Sequence, residues 1–282
     1  VFNLFLIIQN ISKSFGFNSK ANLVLDNVNL LIDKGEFVCL VGPSGCGKST
    51  LLNIIAGLES ASCGRIILNG SAVRDAGIDR AVVFQESALF PWLTVIDNVE
   101  FGMKMAGIKK EERKRRAMEY LKMVHLTKFK DSYIHQLSGG MRQRVALARA
   151  LAIDSQVLLM DEPFSALDSQ TRGILQLELQ RIWMETKKTI VFVTHNIEEA
   201  VVLADRVVVM STNPGRVKKE FKIELSRPRK PESPDVNYYV RKIMDELREE
   251  VEKVAKAEYD GDWSVEKDLF LSNVDSNIGI GL

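Results

Sequence analysis

Residues 42 to 50 read Gly42-Pro43-Ser44-Gly45-Cys46-Gly47-Lys48-Ser49-Thr50, a fit to the pattern G-x-x-x-x-G-K-[ST], whose chemistry is phosphate binding. Gly42, Gly45 and Gly47 allow a tight backbone that turns successive N–H groups inward. Lys48 neutralises outer phosphates, and Ser49 offers its hydroxyl to Mg2+. Cys46 lies inside the loop, so its alkylation is expected to block binding, and a bound phosphate ligand to shield it.

A second chemical signal is Val157 to Pro163, VLLMDEP, an apolar run that ends in two carboxylates. A strand buried on both faces does not carry acids unless they meet a cation or handle a proton. Neighbouring strand residues point to opposite sides, which separates the duties: Asp161 toward the metal shell, Glu162 toward an attacking water. Alone, an acidic strand end reads first as a helix cap or loop; beside a phosphate loop the order reverses.

Two single residues are weaker signals. Gln85, in VVFQES, follows an apolar run and reads either as a surface residue or as a ligand for metal or water. His195, in FVTHNIEEA, ends another strand before a helix that Asn196 and Glu199 start as a capping box. It is either a satisfied structural group or, at the carboxyl edge of a sheet where α/β ligands bind, part of the site. A further stretch, LSGGMRQRVALARAL from Leu137 to Leu151, has a hydroxyl and two glycines before a helical run, an anion site with no base or metal ligand beside it.

The elements that must carry these groups follow from periodicity. Residues 5 to 40 read as short strands, and the loop stands between a strand and a helix in FVCLVGPSGCGKSTLLNIIAGL. From about Ser87 to Ala152 the pattern is helical. Beyond it, VLLM and TIVFVT alternate with TRGILQLELQRIWMET and IEEAVVLA, the signature of a mostly parallel sheet with crossover helices. The basic run Lys109 to Arg116 is interleaved with Glu111, Glu112 and Glu119 and reads as a solvated helix face. Three prolines in SRPRKPESPD, Ser226 to Asp235, mark a linker. The helix after it carries Val240, Ile243, Leu247, Val251 and Val254 on one stripe, set against its own domain or against a partner. The last twenty residues look weakly ordered.

Bulk composition narrows the class. The 282 residues are 46% hydrophobic and 27% charged, with 38 basic and 37 acidic side chains, so overall charge gives no nucleic-acid footprint. Three cysteines without a CxxC pair argue for a reducing compartment. The opening VFNLFLII is far shorter than the roughly 20 apolar residues a membrane span needs, and reads as a strand.

Taken in order, GPSGCGKST, Gln85, LSGGM, LLMDEP, SALD and His195 resemble the ATP-binding subunit of ABC transporters, over nearly all of residues 11–217. The resemblance implies an α/β fold, a P-loop NTPase (RecA-like) core with an antiparallel β subdomain and a helical subdomain inserted at about 87–152. The ATP-binding domain would run over 1–225, with 226–282 a linker and helical extension. Two copies would pack head to tail, Ser138, Gly139 and Gly140 of one closing over the γ-phosphate held by Lys48 of the other. Met141 stands where the family more often has Gln, which leaves the backbone donors unaffected. Phe15 falls where an aromatic stacks on adenine, with Phe17 a close rival; Asp168 would lie at the dimer seam, and His195 would grip the γ-phosphate while Glu162 acts as base. ATP and Mg2+ are the implied cofactors, with Ser49, Gln85 and Asp161 around the metal.

FQESALFPWLTVIDNVEFGM and RVVVMSTNPGRV are similar to the nitrate, sulfonate and taurine importer branch. That implies integral membrane permease subunits as partners, a solute-binding protein acting indirectly, no nucleic acid, and a peripheral place on the cytoplasmic face of the inner membrane. Phe90, Pro91 and Trp92 belong either to the groove that receives the permease or to the helical subdomain's core. The rival class is a soluble ABC ATPase acting on ribosomes or DNA. Translation-type members usually join two cassettes in one chain, and repair-type members insert long coiled coils for which Ser49 to Leu137 leaves no room.

Overall fold

The computed structural model describes residues 4–16 and 22–258; Phe17 and the last twenty residues lie outside them. In chain order the elements are β1 (Leu4–Phe15), β2 (Asn22–Asp33), β3 (Phe37–Val41), α1 (Lys48–Ala56), β4 (Cys63–Leu68), β5 (Ser71–Val73), β6 (Arg80–Val83), α2 (Val95–Met105), α3 (Lys110–Met123), α4 (Gly139–Ala152), β7 (Val157–Asp161), α5 (Ser169–Thr186), β8 (Thr189–Val193), α6 (Ile197–Leu203), β9 (Arg206–Met210), β10 (Val217–Lys222) and α7 (Pro234–Glu258). The fold is α/β, as expected, but the first forty residues hold two twelve-residue strands in place of several short ones. Asn10 and Asn27 take positive φ, and register shifts on either side bend the long ribbon without ending it.

Two sheets form, ordered β2-β1-β4-β5 and β10-β9-β3-β8-β7-β6. The first is antiparallel; in the second only β10 runs antiparallel to its neighbour. Strand alternation makes the six-stranded sheet the wall between two cores. Val38, Leu40, Leu159, Val191, Val193 and Met210 face α1 and the antiparallel sheet, where Leu51, Leu52, Ile8 and Ile32 fill the gap. Phe37, Cys39, Leu158, Met160, Phe192 and Val209 face the other way, onto Leu179 and Ile182 of α5 and Val201 of α6. This is why the strands read as unbroken apolar runs: both faces are covered.

The helices α2, α3 and α4 pack together beside this sheet and join the second core. The basic face of α3 is tied internally: Arg115 pairs with Glu112 at 2.7 Å and Glu119 at 2.6 Å, and Arg116 donates to the Ala152 carbonyl at 2.9 Å. Segment 226–233 has no regular structure, yet Arg229 is 4% exposed and donates to the carbonyls of Val201, Ile223 and Leu225. The following α7 lies on its own domain, against α6 and β9, with Val236, Ile243 and Leu247 buried.

The start of α6 departs from the expected capping box. Asn196 Oδ1 accepts from Glu199 N at 3.0 Å, but the Glu199 carboxylate is buried and accepts from the Thr194 hydroxyl at 2.5 Å and from Gln176 Nε2 at 3.2 Å. The Thr194 hydroxyl in turn accepts from Asn196 N at 3.0 Å. This network fixes the turn that carries His195. Burial pushes the Glu199 carboxyl above its ordinary range, against the opposing pull of Thr194, Gln176, Arg172 and His195.

Two predictions follow from this packing. Phe192 lies between the rings of Phe37 and Phe164, at 6.0 and 5.8 Å, so Phe192→Ala should cost about 3–5 kcal/mol, read as a lower denaturant midpoint. Because Glu199 holds its proton more tightly folded than unfolded, it withdraws stability as pH rises from the unfolded value through the folded one. Glu199→Gln removes that slope. The melting temperature of the variant minus that of the wild type should therefore increase from about pH 4 to about pH 7; a pH-independent difference would contradict the assignment.

Candidate functional site

The phosphate loop leaves β3, whose five residues are all buried, and enters α1 at Lys48. Gly47 caps that helix with φ of 91°, and a Cβ there would lie 2.6 Å from Leu25 Cδ2, so only glycine fits. Lys48 is 6% exposed and curls back over the loop, its Nζ donating to the carbonyls of Gly42 at 2.8 Å and Pro43 at 2.9 Å. Ser44 and Gly45 are exposed at the tip, Pro43 and Thr50 are half-buried, and Gly42 and Cys46 are buried. Cys46 Sγ is 3.7 Å from Lys48 Nζ, and burial pushes its thiol pKa up against the lysine's opposing pull. Burial and the raised pKa both slow alkylation of this thiol, which is 0% exposed.

The parallel register brings the other groups to the same edge. Leu40 is level with Val193, and Val193 with Asp161, while Val83 is level with Met160. Gly42, His195, Glu162 and Gln85 therefore all emerge within a residue or two of one line across the carboxyl ends of β3, β8, β7 and β6. The two acids take different partners. Asp161 Oδ1 accepts from the Ser49 hydroxyl at 3.0 Å, and burial pushes its carboxyl up while Ser49 and Lys48 pull it down. Glu162 Oε2 lies 2.9 Å from His195 Nδ1, with the imidazole N–H donating.

Glu162 leaves the strand with φ of 43°, a left-handed conformation that costs a non-glycine residue about 1–3 kcal/mol and persists only where the surroundings enforce it. Here its N–H donates to Val193 O at 2.9 Å, and the Ser165 hydroxyl donates to its carbonyl at 2.9 Å. Gln85 is exposed and makes no side-chain hydrogen bond among the described residues. The segment after it is held by side chains that sequence reasoning passed over. Arg149 donates to Ser87 and Ala88 carbonyls at 3.1 and 2.8 Å, and the fully buried Asn98 binds the backbone of Phe90, Leu93 and Thr94. A polar residue on the buried stripe of α2 was the available signal.

Phe15 ends β1 at 43% exposure, with the Lys13 ammonium 4.7 Å from its ring centre. Phe90 packs on Phe101 at 4.3 Å and lies 5.6 Å from the ring of Trp92, which is 71% exposed.

The remaining predicted residues form a second cluster. Ser138 caps α4, its Oγ accepting from Met141 N at 3.3 Å, and Asp168 caps α5, accepting from Thr171 N at 2.9 Å. The Thr171 backbone and hydroxyl hold the Asp168 carboxyl below its ordinary range. A Cβ on Gly140 would meet Thr171 Cγ2 at 2.5 Å, so the glycine lets the two helix starts approach. Among the described residues no hydrogen bond joins Ser138, Gly139, Gly140 or Asp168 to the phosphate loop.

The ABC transporter family model matches residues 25–165. An uncharacterised ABC transporter ATP-binding protein of Methanocaldococcus jannaschii, MJ0412, is 52% identical over 89% of this chain and 94% of its own. The taurine import ATP-binding protein TauB of Rhizobium johnstonii is 53% identical over 72% and 78%, and the nitrate import ATP-binding protein NrtD of a Synechocystis strain is 48% identical over 78% and 83%. Among solved structures, the dimeric post-hydrolysis state of the ATP-binding cassette MJ0796 bound to ADP and Pi aligns with a TM-score of 0.69 at 36% identity, covering 78% of this chain and all of that one. With a phosphate loop, a carboxylate pair and a capped glycine turn on the scaffold those proteins share, this chain belongs to the ATP-binding cassette family of ABC transporters.

Proposed function

We propose that the chain is the ATP-hydrolysing subunit of an ABC importer, powering uptake of a small anion such as nitrate, an alkyl sulfonate or taurine through a separate membrane subunit. The observation that carries this reading is the likeness, over most of both chains, to subunits named for taurine and nitrate import. The alternative, a soluble ATPase on ribosomes or DNA, gains no support from them. No helix among the described residues is long and apolar enough to cross a membrane, which fits a peripheral subunit on the cytoplasmic face working with integral permease partners and, through them, a solute-binding protein. Residues 1–225 would form the ATP-binding unit, with 87–152 its helical subdomain and 226–282 an appended extension. The exposed Trp92 then belongs to the face offered to the permease.

In this reading the backbone N–H groups of Gly42 to Thr50 and the Lys48 ammonium hold the phosphates, and Phe15 stacks on the base. Ser49 and Asp161 fit a hard divalent cation: a hydroxyl and a carboxylate 3.0 Å apart, the latter buried enough to favour a compensating positive charge. Gln85, at the end of the neighbouring strand, would complete that set. Bound Mg2+ would supply charge neutralisation on the phosphoryl oxygens. Glu162 takes the proton of the attacking water, and His195, hydrogen-bonded to that carboxylate, orients it and reaches the terminal phosphate. Ser138, Gly139 and Gly140, with Asp168 at the seam, serve the phosphate held by a second copy. Among the described residues the N–H groups of Gly139 and Gly140 at this helix start have no hydrogen-bond acceptor, while the Ser138 hydroxyl accepts from Met141 N.

Two measurements test this. Glu162→Gln should bind ATP, accumulate as a dimer and lose hydrolysis by about 100-fold or more; a variant that stays monomeric in saturating ATP and Mg2+ counts against the shared site. Mixing a chain carrying Lys48→Ala with one carrying changes at Ser138 and Gly139 should restore hydrolysis that neither shows alone. Absence of recovery in pairs demonstrated to form overturns the proposal.

A further inference from the structure

Among the described side chains the buried stripe of α7 contains one acid. Glu250 is 1% exposed and follows Ile243 and Leu247 at helical spacing, so its carboxylate is costly unless fully paired. Its Oε2 accepts from Thr212 N at 3.0 Å, and its Oε1 lies 2.6 Å from Lys253 Nζ and 3.4 Å from Lys218 Nζ. Thr212, itself 7% exposed, belongs to the turn that joins β9 to β10.

That turn is a closed unit. Ser211 N donates to Arg216 O at 2.9 Å, the Ser211 hydroxyl donates to Pro214 O at 3.2 Å, and Arg216 N donates to the same hydroxyl at 3.1 Å. Its far side rests on the phosphate loop. Gly215 N donates to Val24 O at 2.9 Å and its carbonyl accepts from Asp26 N at 3.0 Å. A Cβ on Gly215 would lie 2.1 Å from the Cys46 carbonyl oxygen, and one on Gly42 would lie 3.0 Å from the Met210 carbonyl oxygen. The contact is backbone against backbone, with no side chain between to absorb a shift.

The direction of the Cys46 carbonyl matters because a trans peptide points its C=O and the next N–H to opposite sides. The turn behind the Cys46 oxygen therefore fixes which way Gly47 N–H faces, and Gly47 N–H is one of the donors of the phosphate loop.

We infer that Glu250 is a positioning residue for nucleotide binding: by holding Thr212 it seats the 211–216 turn against Cys46 and so sets the aim of the phosphate loop. The inference rests on the nucleotide-site reading above, in which α7 would otherwise be an appendage remote from the chemistry. It also accounts for a buried carboxylate on an otherwise apolar stripe, where a hydrophobic residue would pack without the cost of desolvation.

The test uses the full chain and a fluorescent ATP analogue, with KM and kcat for ATP measured below all melting transitions. Loss of analogue binding in Lys48→Ala, against binding in the wild type, checks the nucleotide site separately; if the wild type fails to bind, that reading falls first. Glu250→Ala should weaken analogue binding and raise KM about five- to tenfold with kcat within about twofold. Glu250→Gln keeps an acceptor for Thr212 N and should recover most of the affinity. Gly215→Ala, which leaves Glu250 intact and drives a methyl into the Cys46 carbonyl, should weaken binding at least as much, and it serves if Glu250→Ala does not fold. Leu121→Ala, buried in α3, lowers stability elsewhere and should leave affinity unchanged. Wild-type affinity in Glu250→Ala or in Gly215→Ala, or an equal loss in Leu121→Ala, overturns the inference.

Discussion

The register of the parallel strands is the constraint on which the rest depends. Phe37, Val38, Cys39 and Leu40 pair in step with Ile190 to Val193, which pair in step with Leu158 to Asp161. Each strand is packed on both faces, so a slip of one residue would send Phe37 and Phe192 into the space sized for Val38 and Val191, and strip both cores at once. The same slip would move Gly42 by about 3.3 Å relative to His195 and Glu162. Core packing and catalytic alignment are therefore set by a single choice, and neither can drift without the other. Loops differ from strands in having no such lock, which is why the turn at Glu162 needs its own hydrogen bonds to Val193 and Ser165.

Much of this was legible in the residues, for a reason that differs from element to element. The phosphate loop is readable because few backbones expose several N–H groups to one anion, and those that do need glycine at fixed places. The parallel sheet is readable because two-sided burial erases polar alternation. The helix starts at Ser138 and Asn196 were visible as short polar side chains before apolar periodicity, whereas the cap at Asp168 was not read. The long bent ribbon of β1 and β2 was not, since asparagines that break most strands here take left-handed conformations and let pairing continue.

What stayed hidden is the set of polar side chains that work inside the fold. Asn98, Arg149, Glu199, Arg229 and Glu250 all sit at positions whose spacing predicts an apolar or exposed residue. Asn98, Arg149, Arg229 and Glu250 instead satisfy backbone groups, and Glu199 takes the side-chain donors of Thr194 and Gln176. Sequence periodicity registers such a residue only as an interruption; its meaning depends on which carbonyls and amides the tertiary structure brings to it. Cys46 illustrates the same limit from the other side. Its place in the loop suggested access, while the loop's own curvature buries it beneath Lys48.

The groups proposed to handle phosphate, metal and water, Lys48, Ser49, Asp161, Glu162 and His195, share one further property: each already has a partner within the protein. Lys48 donates to loop carbonyls, Ser49 to Asp161, and His195 to Glu162. The internal partners satisfy the hydrogen-bonding groups of these side chains, and in the proposed function phosphate oxygens, a divalent cation and a water take their place. The glycine turn at Ser138 is arranged differently. Its hydroxyl is used for the cap, and Gly140 lets the helix start pack closely against Thr171. It has donors and no internal acceptor of comparable charge. An arrangement of that kind is stable at a surface, where water serves, and becomes strongly binding only when a surface bearing terminal phosphate displaces that water. In the proposed function, this is the physical reason the cassette works as a pair.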